Sequence, residues 1–396
     1  VDILQFGTNV INCRGSEEDK NYLEKYLLPH FGSLEGEDVF LGCFRYRLYS
    51  FTLWNKMYSA TLCKKAFSRI KDGKFPRGQD KYAFTVLAYY ASSYRGVSGL
   101  RLYNYHLALG IDGRLSITLG DFKKFCSFSL VSDAIKEFFE EEGILNKYFD
   151  IWISSRNQLI GDCVNKWDNK VRPEDKGKCF DILLNSWPKY LIIESIARRN
   201  WDKQEQVVEN LKNSQLYSIT KKNPKVIGTY YHKLKNGGVE RLLESLIPLW
   251  MSMGYKVVVI TDDQGYKDNV VLPKGVKRYM IPNNGINMPN LYKYRAQCLN
   301  EIIEKECIDM MIYHAWNTSI LLWDMLISKS AGASFVIHCH SIFSLRLRQG
   351  QPYFSMKPII YSFSDAIVCL SDVDKAFWSN FNKNTFDVMN PPAFRV

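Results

Sequence analysis

Val226-Ile227-Gly228-Thr229-Tyr230, then Asn236-Gly237-Gly238-Val239-Glu240-Arg241, then Val257-Val258-Val259-Ile260 follow one another in close succession, and the class of fold follows from these three runs. The first and third runs are short, apolar and β-branched, as strands buried on both faces are. Between them Val239, Leu242, Leu243, Leu246, Ile247 and Trp250 recur at helical spacing. A strand, a Gly-Gly turn, a helix and a second strand closed by Thr261-Asp262-Asp263 make one β-α-β unit. Parallel pairing requires such a crossover helix each time.

The alternation continues to the end of the chain. Strands are expected at Met280-Ile281, Ile308 to Tyr313, Phe335 to His338 and Ala366 to Leu370. Helices are expected over 291–306, 318–329, 355–364 and 372–381. The fold class is therefore α/β, with a Rossmann-like, doubly wound parallel sheet over 223–396. From 131 to 222 the periodicity is helical and few glycines interrupt it, which predicts a helical connector. Residues 1–130 mix short strands and helices: Ile3 to Gly7 and Leu100 to Leu107 read as strands, and Tyr82 to Tyr90 as a helix.

Composition narrows the chemistry. The 396 residues are 46% hydrophobic and 23% charged, which predicts folded globular domains rather than disorder. The net charge of +11 favours an acidic partner: nucleic acid, anionic lipid or a phosphate-bearing small molecule. No run of five basic residues and no helix-turn-helix, zinc-finger or RNP motif occurs, so no nucleic-acid partner is expected. The ten cysteines are scattered without a CxxC pair, which predicts no metal knuckle and a reducing cytoplasmic setting. No segment reaches the roughly 18 unbroken apolar residues of a membrane span.

Three features carry chemistry. Gly237-Gly238 opens a helix, so backbone amides there can approach an anionic ligand without Cβ obstruction. His338 and His340 stand at the carboxyl end of a strand, and alternation sends both to the same face. His314, followed by Asn317, ends another strand in the same way. In the first zone Asp80 opens a helix, where N-capping is its ordinary structural role. Asp372-Val373-Asp374 also opens a helix, so capping and the helix dipole explain it better than metal binding.

The run from 223 to 392, with Gly237-Gly238-Val239-Glu240-Arg241, His338-Cys339-His340-Ser341 and Val388-Met389-Asn390-Pro391-Pro392, resembles the amino-terminal domain of family 4 retaining glycosyltransferases of the GT-B fold. The resemblance implies that Gly237, Gly238, Glu240, Arg241, His314 and Asn317 meet substrate, and that His340, with His338 in reserve, hydrogen-bonds the donor sugar or leaving phosphate. Arg346, six residues after His340, matches the family's basic side chain. Asn390-Pro391-Pro392 resembles the crossing into a donor-binding domain, so the donor-gripping carboxylates are expected outside this sequence and the piece is expected to be inactive alone.

Trp54-Asn55-Lys56 and Gln79-Asp80 resemble the carboxyl half of family 2 inverting glycosyltransferases of the GT-A fold. That resemblance makes Asp80 the general base and Trp54 and Lys56 substrate contacts, over domain 1–130. Tyr103-Asn104-Tyr105-His106 and Gly110-Ile111-Asp112-Gly113 match the acceptor-side strand and loop. Gln79 stands where that family has an acid, and the Mg or Mn ligands that family uses are expected upstream of Val1. Together the two resemblances imply a bifunctional bacterial enzyme that moves sugars from a nucleotide-sugar donor to a surface polysaccharide, capsule or glycolipid acceptor. Its expected partners are a glycan or lipid-linked acceptor, the flanking domains of the same polypeptide, and the inner face of the membrane through peripheral contact. Two alternatives stay open: a non-catalytic scaffold built from degenerate halves, and a dinucleotide oxidoreductase in which Asp262 or Asp263 reads a ribose.

Overall fold

In the computed structural model the described residues are 1–110, 114–218, 223–263, 270–283, 291–315, 317–348 and 357–389. The chain divides into two compact units, Val1–Asp175 and Lys176–Val396.

The second unit is built on seven strands: β5 (Val226–Tyr230), β6 (Lys256–Asp263), β7 (Lys277–Pro282), β8 (Met310–Tyr313), β9 (Ser334–His338), β10 (Ala366–Cys369) and β11 (Thr385–Asp387). Their order is β11-β10-β9-β8-β5-β6-β7, and every pair is parallel. Chain order thus reverses between β5 and β8, the doubly wound arrangement the β-α-β pattern predicts. Edge strand β11 is the one strand of this sheet that the apolar runs do not reveal, because Phe386 is exposed there. The helix Gly238–Ser252 packs Leu243 and Ile247 against Val257 and Val259 of β6, which closes the first crossover.

Beneath the strand ends lies a fully buried ionic network. Arg295 donates to both oxygens of Asp324 (Nε to Oδ2 3.0 Å, Nη2 to Oδ2 2.7 Å, Nε to Oδ1 3.2 Å) and through Nη1 to Asp262 at 2.6 Å. The hydroxyls of Tyr292 and Tyr313 donate to Asp324, and that of Tyr230 to Asp262. Tyr230 and Tyr313, paired across β5 and β8, stack at 4.4 Å. The network ties β5, β6 and β8 to the helices Tyr292–Glu306 and Leu321–Ser330.

The helical stretch 131–222 is shared between the units. Phe128–Glu141 and Phe149–Lys170 fall in the first, Lys176–Ser186, Lys189–Asn200 and Gln204–Leu211 in the second. Their apolar faces account for this. Ile192, Ile193 and Ile196 are wholly buried, and Trp201 stacks on Trp323 at 6.0 Å.

The first unit carries a four-stranded sheet of β1 (Ile3–Asn12), β2 (Gly32–Glu35), β3 (Lys56–Tyr58) and β4 (Ser93–Leu107), in the order β2-β4-β1-β3. Only β1 and β4 run parallel. The helix expected at Tyr82–Tyr90 runs from Gln79 to Tyr90.

Candidate functional site

In an open parallel sheet ligands bind beyond the carboxyl ends of the strands, where the chain order reverses. Here that place lies between β5 and β8. The segment leaving β5 carries Tyr231, Lys233, Asn236 and the Gly-Gly turn, and these residues line a cleft of about 310 Å³ together with Val239, Glu240 and His340. The glycine turn and the strand-end histidine, far apart in sequence, therefore face one crevice.

The turn has a specific steric demand. A Cβ on Gly237 would overlap the Glu240 carboxylate, which folds back over it, whereas a Cβ on Gly238 would meet open space. Gly237 caps the helix Gly238–Ser252 without a side-chain bond, so the first helical N–H groups are left for a ligand or water. Glu240 is buried; Arg241 is exposed on the helix's outer side.

Three of the chain's six histidines meet beside this turn. His314 follows β8, His338 ends β9, and Tyr313 pairs with Ile337, so the two histidines lie level on one face. His340 stands two residues on. Ring centroids are 4.3 Å apart for His338–His340, 5.0 Å for His314–His338 and 5.1 Å for His314–His340. Nδ1 of His314 and Nε2 of His340 share a hydrogen bond of 2.8 Å. Nε2 of His314 and Nε2 of His338 are buried without a partner.

Burial pushes His338 down to about 4, and burial with the neighbouring His338 ring pushes His340 down to about 3. His314 is driven well below its ordinary value by burial and by both other rings. All three are neutral at pH 7. His340 therefore offers a ligand a neutral hydrogen bond, not a positive charge.

The segment after His340 is anchored by Asp374. Its carboxylate accepts from the backbone N–H of Phe343 and from the hydroxyl of Ser371 at 2.8 Å each, while Ser371 caps the helix Asp372–Trp378. Asn317 is half-buried beyond β8. The side chain of Arg346 and residues Asn390, Pro391 and Pro392 lie outside the described residues. Asp262 is buried and held by Arg295 and Tyr230, so it is not free to read a ribose.

Residues 236–384 match the family model of Glycosyltransferase Family 4. The match begins at the glycine turn and takes in all three histidines, which supports a glycosyltransferase role for the second unit. No curated protein matches the chain. Among solved structures the chain is similar to a mutant of the Thermobaculum terrenum O-GlcNAc transferase, at 12% identity and a TM-score of 0.29. That likeness covers 69% of this chain, which spans 58% of that structure's length.

In the first unit the structure corrects two expectations. The helix is capped by Gly78, at φ +78°, and Asp80 sits in the first turn, accepting from the N–H of Lys81 at 2.9 Å. A carboxylate there complements the helix dipole instead of capping it. Lys56 is buried, not turned to a ligand. Its Nζ donates to Thr52 O at 2.6 Å and to Asn55 Oδ1 at 2.9 Å, and burial pushes its amine down to about 7. Trp54 is half-buried and stacks on Tyr103 and Tyr105, at 4.4 and 5.4 Å between rings. Tyr103 is exposed, so this aromatic cluster reaches the surface. Ile111, Asp112 and Gly113 lie outside the described residues. A cavity of about 380 Å³ lies beside Lys81, also lined by Lys25, Arg47, Tyr26 and Ser155. Among the described residues of this unit no three carboxylate, imidazole or thiol groups converge.

Tyr231, Lys233 and Asn236 line the cleft with no sequence signal of their own beyond lying in the loop that the Gly-Gly turn closes. The bond between His314 and His340 is equally silent in the sequence, since nothing local links β8 to β9.

Proposed function

We propose that the second unit is the acceptor-side half of a retaining transferase that moves a sugar from a nucleotide-sugar to a surface polysaccharide or glycolipid. One observation carries the reading: Gly237-Gly238 and His340 line a single cleft at the point where strand order reverses. Free N–H groups of the helix Gly238–Ser252 and a neutral imidazole N–H are donors suited to charge that grows on a departing diphosphate. Glu240 is buried with its carboxylate folded over Gly237, and the basic chain draws in an acidic donor or a lipid-linked acceptor at the membrane's inner face.

In this reading the first unit contributes an inverting transfer, with Asp80 removing the acceptor proton and Trp54 stacking on the sugar. Among the described residues no helix is long and apolar enough to cross a membrane.

The test is turnover of a panel of nucleotide-sugars by the complete polypeptide, donor-binding half included, with His340→Ala alongside. His340→Ala lowers kcat/KM at least about tenfold, as loss of a transition-state hydrogen bond does. An unchanged kcat/KM removes His340 from the site, and turnover of no donor by the wild type favours the scaffold reading.

A further inference from the structure

We propose that His314, His338 and His340 hold a first-row transition-metal ion of the zinc class. The three offer ligating nitrogens within 4.8 Å of one another and form the one such group among the described residues. The proposal goes beyond the transferase reading and does not depend on it, because metal uptake is measured without turnover.

Two independent observations point to a ligand. His314 and His338 are 1% and 6% exposed, yet each keeps an Nε2 with no hydrogen-bond partner. An unsatisfied buried polar atom costs about 1–3 kcal/mol, and a metal on His338 removes one such cost. The donor set is the second observation. Three imidazoles with no carboxylate or thiolate among them suit zinc, copper, nickel or iron, and not magnesium or calcium. Cys339 alternates to the opposite face of the strand and does not join them. His340 opens onto the cleft, which supplies an entry path.

The metal-free geometry is that of a relaxed site. The 2.8 Å contact between His314 and His340 is a hydrogen bond; two nitrogens on one tetrahedral ion at about 2.05 Å stand about 3.3 Å apart. Loading moves those two rings apart by about half an ångström and draws His338 in. The proton of the His314–His340 bond shifts to the other nitrogen of its own ring, so the imidazoles remain neutral and no net proton is released. If Nε2 of His340 binds the ion, its Nδ1 carries that ring's proton and remains a donor for the cleft. Three protein ligands leave a position for water or a ligand oxygen, as in catalytic zinc sites.

The experiment titrates the protein with Zn²⁺ against a chromophoric chelator, and with Co²⁺ followed by absorption. One equivalent binds, the cobalt form shows d–d bands without thiolate charge transfer, and His338→Ala weakens binding at least about 100-fold with its circular dichroism unchanged. His340→Ala, at the rim of the cleft, gives the same loss and serves should the His338 variant not fold. Equal affinity in wild type and variant, a thiolate band in the cobalt form, or no uptake of a stoichiometric ion each overturns the proposal.

Discussion

His314 Nδ1 and His340 Nε2 meet at 2.8 Å across the ends of two neighbouring strands. This bond occupies one nitrogen of His340 and fixes the ring, leaving Nδ1 for the cleft. In the proposed transfer His314 acts as a positioning residue. His314→Ala is expected to lower kcat more than it raises KM, because the ring of His340 is freed while the cleft keeps its shape. His314→Asn places an amide near the lost Nδ1 and restores part of the rate. The nitrogen chemical shifts of His340 report the ring's tautomer directly; shifts that match in wild type and His314→Ala count against this role.

The two glycines of the turn separate stability from binding. Gly237→Ala pushes aside the flexible end of the Glu240 side chain, which is buried, so it lowers stability slightly, by less than a clash with backbone would. Gly238→Ala meets open space, leaves the melting temperature nearly unchanged, and weakens nucleotide-sugar binding by standing a methyl over the N–H groups. Denaturant melts and binding isotherms of the two variants should show opposite losses.

Removing the buried cation is more damaging than removing the network. Arg295→Met leaves Asp262 and Asp324 buried and unpaired, an expected loss of about 3–5 kcal/mol. The double change Arg295→Met with Asp324→Leu recovers part of it. Urea unfolding of the three proteins checks the order, and equal loss in single and double variants would sink it.

The first unit should gain stability as pH rises from about 7 to 9. Burial pushes Lys56 down to about 7 and Lys81 down to about 8, while both titrate near 10.5 when unfolded. Over that window the unfolded chain binds more protons, so raising the pH favours the folded state. Above 9 the Cys43 thiol, pushed up to about 12 by burial, acts in the opposite sense. Lys56→Met is expected to flatten the slope and to raise the melting temperature at pH 7, measured by thermal melts across that range.

What the sequence made legible was periodic or local. The strands β5, β6, β8, β9 and β10 are unbroken apolar runs, and the Gly-Gly turn lies directly between a strand and its helix, so their places follow from short-range pattern. His338 and His340 share a face because a strand alternates. Arg295 sits in a charged helix as one basic residue among several, and only tertiary packing reveals that it joins Asp262 to Asp324. The Asp80 reading failed at the cap because Gly78, with its positive φ, took that position first. Lys56 misled for a related reason: a lysine beside an asparagine and a threonine can be solvated or swallowed, and the β1–β3 pairing that buries it is not local.

The reversal of strand order has a kinetic consequence. β5 and β8 are neighbours in the sheet although the whole β6–β7 half of the unit intervenes in sequence. Closing that long loop costs chain entropy before any contact rewards it, so pairings of this kind form late. A nascent chain that has completed only its first crossover already owns the glycine turn but has no opposite wall, so the cleft itself does not exist until the two halves zip together.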